Sequence, residues 1–249
     1  MIDHNTIAVQ LYSVRDDLEK DFSRTMRTIA SYGYRAVELA RFPAGVTNEA
    51  AKSLFKDLDI TVVGAHSPLP MGVDKNAILD NILPFETDYL VCPWLDPENY
   101  FSNLDGIKTA CEMLNEANIV AKENGLTLGY HNHWFEMQEV DGKIAYQHML
   151  DYLDDDIVFE LDTYWAKVAG LDPVAVMKDM AGRLPLVHLK DGPAEDNVEA
   201  MVALGDGAMD VPAILEASEG KWHVVELDRC DTDMLTAVQK SYSYLMELA

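Results

Sequence analysis

The stretch Leu126-Thr-Leu-Gly-Tyr-His131-Asn-His133 is a short apolar run that ends directly in polar residues able to bind a metal. Three later stretches have the same form, because apolar residues lead into a His, Asp or Glu and a helical pattern follows. They are Ile157-Val-Phe-Glu-Leu-Asp162, Leu186-Val-His188-Leu-Lys190-Asp191 and His223-Val-Val-Glu226-Leu-Asp228. This pattern predicts four buried strands whose C-terminal ends carry His131, Asp162, His188 and Glu226.

The rest of the chain repeats this alternation of a short strand and a helix. Four earlier strands are predicted at 7–13, 36–40, 60–66 and 89–94, and the predicted helices include a continuous one over 17–32 and others over 74–85 and 103–124. Strands rich in Val, Ile and Leu are typical of a parallel sheet covered by helices. Eight such units predict a single-domain (β/α)8 TIM barrel over residues 1–249. A doubly wound open sheet is the alternative, but no Gly-rich phosphate fingerprint follows the first strand.

Composition narrows the class of partner. The net charge is −24, from 43 acidic and 19 basic residues, and it repels nucleic acid and anionic membrane surfaces. No run of about 18 apolar residues occurs. The three cysteines, Cys92, Cys111 and Cys230, fit neither a disulfide framework nor a thiolate metal motif, which indicates a reducing compartment. We therefore expect a cytoplasmic protein that contacts neither nucleic acid nor membrane.

The strand ends of a (β/α)8 barrel open onto one face, and that face carries the active site. We therefore expect His131, Asp162, His188 and Glu226 to face one another. Two imidazoles and two carboxylates suit Mn, Zn, Co or Fe, and suit Mg less well. A divalent metal there could polarise a carbonyl while a nearby carboxylate moves a proton.

Simpler interpretations of the same residues remain open. A single His in a barrel is commonly a hydrogen-bonded core residue, Asp162 could cap a helix, and Glu226 could pair with Arg229 or Lys190. Because side chains alternate along a strand, Glu160 should point inward below Asp162, and an ion pair between Glu160 and Lys190 is expected. Three tryptophans at or just past strand ends could either pack under loops or form a stacking wall for a sugar ring: Trp94, Trp134 and Trp165.

The ordered set of motifs resembles the xylose isomerase-like TIM barrel superfamily, which includes sugar isomerases and epimerases, inosose dehydratase and endonuclease IV. The resemblance spans essentially the whole chain. The strand-five motif of the family, Leu-x-x-Glu-Asn-His, is similar to Leu128-Gly-Tyr-His131-Asn132-His133. The other matching segments are Asp162-x-x-Trp165, Ala169-Gly170-x-Asp172-Pro173, Val187-His188-Leu-Lys190-Asp191, Leu204-Gly205-Asp206-Gly207 and Val225-Glu226.

The resemblance implies a metal held by Asp162, His188 and Glu226, with His131 standing where many members have Glu. The family's ketose 3-epimerases use one glutamate from strand five and one from strand eight. Only Glu226 remains here, so a two-glutamate mechanism does not carry over unchanged. His133 is an alternative ligand on strand five. The resemblance also implies substrate contacts or proton transfer by Gln10, Glu38 and His66. His133, Trp134 and Trp165 are further candidate substrate contacts, by their place at the strand ends. Trp165 replaces the His of the more usual Asp-x-x-His pattern.

The resulting expectation is a metal-dependent isomerase or epimerase of a sugar, sugar phosphate or cyclitol that acts through an enediolate. Glu226 would be the main acid/base residue, His66 or His133 would assist, and Lys190 would position a substrate oxygen. One alternative is β-elimination, as in inosose dehydratase or in enzymes that cleave 3-keto-glycosides; another is a non-catalytic sugar-binding barrel. The endonuclease is excluded by the negative charge and by its additional zinc ligands, which this sequence lacks. The resemblance also implies that the chain can form a homo-oligomer.

Overall fold

Eight parallel strands close into a barrel in the computed structural model, which describes residues 4–248. Each strand pairs with the next strand along the chain, and the last pairs with the first. The strands are β1 (Ile7–Gln10), β2 (Ala36–Leu39), β3 (Thr61–His66), β4 (Tyr89–Cys92), β5 (Thr127–His131), β6 (Val158–Asp162), β7 (Leu186–Leu189) and β8 (Trp222–Val225). The predicted (β/α)8 fold is confirmed.

Helices follow the strands and cover the outside of the barrel. They are α1 (Arg15–Lys20), α2 (Phe22–Tyr32), α3 (Asn48–Asp57), α4 (Lys75–Asp80), α5 (Pro97–Tyr100), α6 (Leu104–Glu123), α7 (Ala145–Tyr152), α8 (Thr163–Val168), α9 (Pro173–Asp179), α10 (Val211–Ala217) and α11 (Met234–Glu247). Apolar side chains between these helices and the strands form the large outer core. In residues 4–248, no helix is both long and apolar enough to cross a membrane.

The continuous helix predicted over 17–32 is wrong. The backbone of Asp21 is extended, with φ −160° and ψ 94°, and its side chain accepts a hydrogen bond from the Arg24 amide. Asp21 therefore ends α1 and caps α2, because a capping carboxylate satisfies an otherwise unpaired amide at a helix start. The helix predicted over 74–85 is shorter, because α4 ends at Asp80 and residues 83–85, which include Pro84, form a separate 3₁₀ turn. A small hairpin of 139–140 with 143–144 was not predicted.

The barrel interior changes from apolar to polar along its axis. Near the N-terminal ends of the strands the interior holds a small cluster of apolar side chains, which are Ala8, Ala36, Val63, Leu186 and Val224. Because side chains two residues apart on a strand point the same way, the next layer contains Gln10 above Ala8, Glu38 above Ala36 and His188 above Leu186. All three polar side chains are buried. The alternation of side chains that fills the barrel therefore also places polar and charged groups at its upper end, which is the end where the strands have their C-termini.

The loop after β7 is held by one carboxylate. Asp191 accepts hydrogen bonds from the backbone amides of Gly192 (2.9 Å), Gly205 (2.9 Å), Gly207 (3.3 Å) and Met209 (3.0 Å). Gly205 has φ +86°, a conformation that glycine adopts without strain. This anchoring fixes the long connection beside the upper end of the barrel, where the polar strand ends lie.

Candidate active site

The four residues predicted at the strand ends lie together. One side-chain N or O atom from each of His131, Asp162, His188 and Glu226 lies within 4.8 Å of the corresponding atoms of the other three, and all four side chains are buried. His131 and Asp162 end β5 and β6, His188 is the third residue of β7, and Glu226 directly follows β8. We call these four residues the metal cluster. Their function as ligands stays a prediction, but their convergence is that expected for one site.

Asp162 caps a helix and faces the cluster at the same time. Its Oδ1 accepts a hydrogen bond from the Trp165 amide at 3.0 Å, which caps α8. Its buried Oδ2 has no aligned hydrogen-bond partner among residues 4–248, although Lys190 Nζ lies 2.9 Å away. A buried acceptor left without an aligned partner suits a bound cation. The capping interpretation and the ligand interpretation are therefore compatible, because each uses a different oxygen.

His131, rather than His133, points into the cluster. His131 Nε2 lies 3.8 Å from Asp162 Oδ2. The ring of His133 instead stacks on Phe135, with centroids 5.5 Å apart and planes 2° apart. His133 Nδ1 is buried without a hydrogen-bond partner in the described part of the chain. This geometry favours His131 as the strand-five ligand and leaves His133 beside the site as a candidate substrate contact.

Lys190 contacts three carboxylates. Its Nζ lies 2.9 Å from Asp162 Oδ2, 2.9 Å from Glu226 Oε2 and 2.7 Å from Asp228 Oδ2. The expected ion pair between Lys190 and Glu160 is therefore wrong. In the sheet register Glu160 lies beside Leu186 and Asp162 beside His188, so Lys190, two residues beyond His188, lies two layers above Glu160. Asp228 was missed as a site residue, although its position two residues after Glu226 could have indicated it.

Four further polar side chains lie next to the metal cluster inside the barrel, and we call them the inner layer: Gln10, Glu38, His66 and Glu160. Glu160 Oε2 contacts His66 Nε2 at 2.6 Å, and Glu38 Oε2 contacts His188 Nε2 at 2.8 Å. Gln10 donates a hydrogen bond from Nε2 to Glu38 Oε2 at 2.7 Å, and its Oε1 accepts one from the Tyr12 amide. Both ends of the Gln10 amide therefore have protein partners. The predicted contact of Gln10 and Glu38 with substrate stays a prediction.

The cluster groups differ in protonation. Although burial alone would raise it, the charges of Lys190 and His188 hold the pKa of Glu226 well below its usual range. Burial raises the pKa of Asp162 to about 6, against the opposing charge of Lys190. Burial lowers the pKa of His131 to about 3, helped by the positive charge of His188. At neutral pH the site therefore combines an ionised Glu226 with a neutral His131.

Aromatic rings border the site on the side of β5 and β6. The Trp134 and Trp165 ring centroids are 5.2 Å apart, and the His133 ring lies 6.4 Å from Trp165 with its plane tilted by 27°. We call these three rings the aromatic wall. Trp165 Nε1 is a buried donor without a protein acceptor in the region the structure describes. Trp94 is half exposed and stands apart from these contacts, so its part in a stacking surface stays a prediction.

Glu136 is a further buried residue that the sequence did not reveal. Its Oε1 accepts a hydrogen bond from the Tyr130 hydroxyl at 2.6 Å, and its Oε2 accepts one from the His133 amide at 2.8 Å. Burial raises the pKa of Glu136 to about 8. Glu136 therefore fixes the loop that presents His133 and Trp134. It lies in an irregular loop, where no periodic pattern distinguishes an inward carboxylate from a solvated one.

Comparison with known proteins agrees with this architecture. A curated relative, the inosose dehydratase of Clostridium perfringens, is 31% identical over 121 residues, which cover 45% of this chain and 40% of the relative. The chain thus matches about two fifths of the length of that relative. A sugar phosphate isomerase/epimerase from Parabacteroides distasonis superposes with a TM-score of 0.80 at 25% identity, covering 96% of this chain and 92% of that structure.

More distant structures share the fold. The IolI protein with a bound zinc atom has a TM-score of 0.76 at 15% identity, covering 98% of this chain and 97% of that one. The family profile described as xylose isomerase-like TIM barrel matches residues 85–219, more than half of the sequence. That segment contains three members of the metal cluster, which are His131, Asp162 and His188. The chain belongs to the xylose isomerase-like TIM barrel family.

Proposed function

We propose that the protein is a divalent-metal-dependent enzyme that removes the proton next to the carbonyl of a keto-sugar or keto-cyclitol and then expels an oxygen substituent by β-elimination. The contact between Glu226 Oε2 and Lys190 Nζ, 2.9 Å long, carries this proposal. It joins an ionised carboxylate to an ammonium at one edge of the metal cluster. These are the base and the acid that an elimination requires.

The metal cluster fits a divalent ion by its donor chemistry. His131 and His188 would supply nitrogen, and Asp162 and Glu226 would supply oxygen. A mixed set of this kind suits Mn, Zn, Co or Fe better than Mg. When bound, the metal would supply positive charge at the carbonyl oxygen of the substrate and stabilise the negative charge that develops there.

The proton transfers follow from the positions of Glu226 and Lys190. Glu226 takes the proton from the carbon next to the carbonyl, and the electron pair of the broken C–H bond forms the enolate. When the carbonyl re-forms, a C=C bond forms to the next carbon and the C–O bond there breaks. The leaving oxygen keeps that electron pair and takes a proton from Lys190. Proton return from Glu226 to the Lys190 amine, across 2.9 Å, restores both groups.

Elimination needs only one base, which suits the residues at the strand ends. Two-base epimerisation needs a second carboxylate base, and β5 contributes the imidazole of His131 to the metal cluster instead. The relatives called inosose dehydratase support the same choice.

Isomerisation is the second candidate. It shares the first proton abstraction by Glu226 but returns the proton to a neighbouring carbon, so that nothing is expelled. The similarity to a structure called a sugar phosphate isomerase/epimerase, at 25% identity over 96% of this chain, favours it.

One experiment separates the two reactions. Mn²⁺-loaded protein is incubated in D₂O with a panel of keto-inositols and 3-keto-glycosides, and the products are followed by NMR and mass spectrometry. Elimination releases water or the aglycone, whereas isomerisation keeps the substrate mass apart from incorporated deuterium. Glu226→Gln should lower turnover by about 10²–10⁴-fold. The control, Glu219→Gln, changes an exposed glutamate and should keep the wild-type rate. Full activity of Glu226→Gln would exclude Glu226 as the base.

A further inference from the structure

The carboxylate of Glu160 lies among three imidazoles. Its Oε2 lies 2.6 Å from His66 Nε2, 3.1 Å from His131 Nδ1 and 3.1 Å from His188 Nε2. Glu160 is fully buried, and its other oxygen has no hydrogen-bond partner among the described residues. The mechanism proposed above does not use this residue, so its burial next to three imidazoles calls for another explanation.

Two of these imidazoles each lie between Glu160 and a carboxylate of the metal cluster. His188 directs Nε2 toward Glu160 and Nδ1 toward Glu226, whose Oε2 is 2.7 Å away. His131 directs Nδ1 toward Glu160 and Nε2 toward Asp162. The His131 ring is turned too far for a well-aligned hydrogen bond to Glu160, although the distance permits one. In both rings, one nitrogen therefore faces Glu160 and the other faces a carboxylate of the metal cluster.

A histidine that binds a metal must have an unprotonated nitrogen toward the ion and its proton on the other nitrogen. That N–H normally donates to a carboxylate, carbonyl or water, which fixes the tautomer and the ring orientation. We propose that Glu160 is a positioning residue that keeps the proton of His131 on Nδ1. His131 Nε2 is then the nitrogen available to the metal. The part of this inference that concerns the metal rests on the proposed function.

Glu38 provides a matched comparison. It is also a fully buried glutamate of the inner layer, and its Oε2 contacts His188 Nε2 at 2.8 Å and His66 Nε2 at 3.3 Å. It has no contact with His131 among the described interactions. Removing the charge of Glu38 therefore changes the inner layer without removing the acceptor that faces His131.

The first test needs no metal. Nitrogen-15 NMR of labelled, metal-free wild-type protein reports which nitrogen of His131 carries the proton. We expect Nδ1–H in the wild type and in Glu38→Gln, and a shift toward Nε2–H in Glu160→Gln. Nε2–H in the wild type would overturn the proposal, and this measurement does not depend on whether any variant folds.

The second test measures zinc affinity by competition with a chromophoric chelator. Loss of a carboxylate behind a ligating histidine typically weakens metal binding by about 10–100-fold, and we expect a loss of that size for Glu160→Gln. A folded Glu160→Gln protein with wild-type zinc affinity and an unchanged His131 spectrum would also overturn the proposal. If wild-type His131 carries its proton on Nδ1 but the protein binds no zinc, the proposed function fails, and only the control of the His131 ring by Glu160 remains.

Discussion

The ammonium of Lys190 lies 2.9 Å from Glu226 Oε2, and both side chains are almost fully buried at the upper end of the barrel. Lys190 also contacts Asp162 and Asp228, so one cation faces three carboxylates. The carboxylates keep the pKa of Lys190 well above its usual value, although burial alone would lower it. This arrangement gives Lys190 a structural role in addition to the proton transfer proposed for it.

Lys190→Met should strongly destabilise the metal-free protein. Methionine fills a similar volume, but the substitution leaves Asp162 and Glu226 buried without their cation. Removing one partner from a buried ion pair costs about 3–5 kcal/mol in the free energy of unfolding. The control is Lys143→Met, which removes a half-exposed pair with Asp151 and should cost under about 1 kcal/mol. Denaturant unfolding with a chelator present measures both, and equal costs would show that the buried contacts contribute no more than the surface pair.

His223 should make folding stability depend on pH. Burial lowers its pKa from 6.5 to about 4. Ser218 Oγ contacts its Nε2 at 2.9 Å, while its Nδ1 has no partner within residues 4–248, so protonation would bury an unpaired N–H. The stabilising effect of the neutral ring is therefore fully present above pH 6.5 and is lost as the pH falls toward 4. Between pH 8 and pH 5 the loss should be about 2 kcal/mol.

Comparison with His223→Gln isolates this contribution from those of the carboxylates. The free energy of unfolding of each metal-free protein is measured at pH 8 and at pH 5. The advantage of the wild type over the variant should shrink by about 2 kcal/mol at the lower pH. A constant difference between the two proteins would contradict a buried neutral His223.

Gly64 provides the space that Glu38 occupies. A Cβ atom at position 64 would lie 2.6 Å from Glu38 Oε1, and Glu38 is held by Gln10 and His188. Gly64→Ala should therefore destabilise the protein by about 1–3 kcal/mol, as overpacking in a core typically does. In a Glu38→Ala background the same change should cost much less, because the obstructing oxygen is gone. Thermal unfolding of the four proteins measures the coupling, and additive effects would exclude this contact as the cause.

The sequence was sufficient for the barrel and for the four residues at its upper end. Apolar runs that stop at His131, Asp162 and Glu226 marked strand ends, and the geometry of a closed barrel then required them to converge. This inference needed no knowledge of strand register, because all parallel strands end on the same face.

Details that depend on register or on loop geometry could not be predicted. The prediction that Glu160 pairs with Lys190 was wrong. The alternation of side chains along a strand shows which side a residue faces, but it does not show at what height along the barrel axis the residue lies relative to those of the adjacent strand. The sequence could not decide whether His131 or His133 points into the metal cluster, because residues two apart on a strand face the same side. The break at Asp21 and the buried Glu136 depend on local capping and loop contacts, which hydrophobic periodicity does not report.

Metal content of the purified protein tests the central claim most directly. Plasma mass spectrometry is applied to the wild type, His131→Ala and His188→Ala, each after dialysis against Mn²⁺. The control is His148→Ala, which removes a buried histidine that contacts the Val140 carbonyl outside the metal cluster. We expect about one Mn, Zn, Co or Fe ion per chain in the wild type and in the control, and a loss of metal in both cluster variants. A wild-type protein that holds no metal and acquires none would contradict the metal-dependent reaction and favour a sugar-binding barrel.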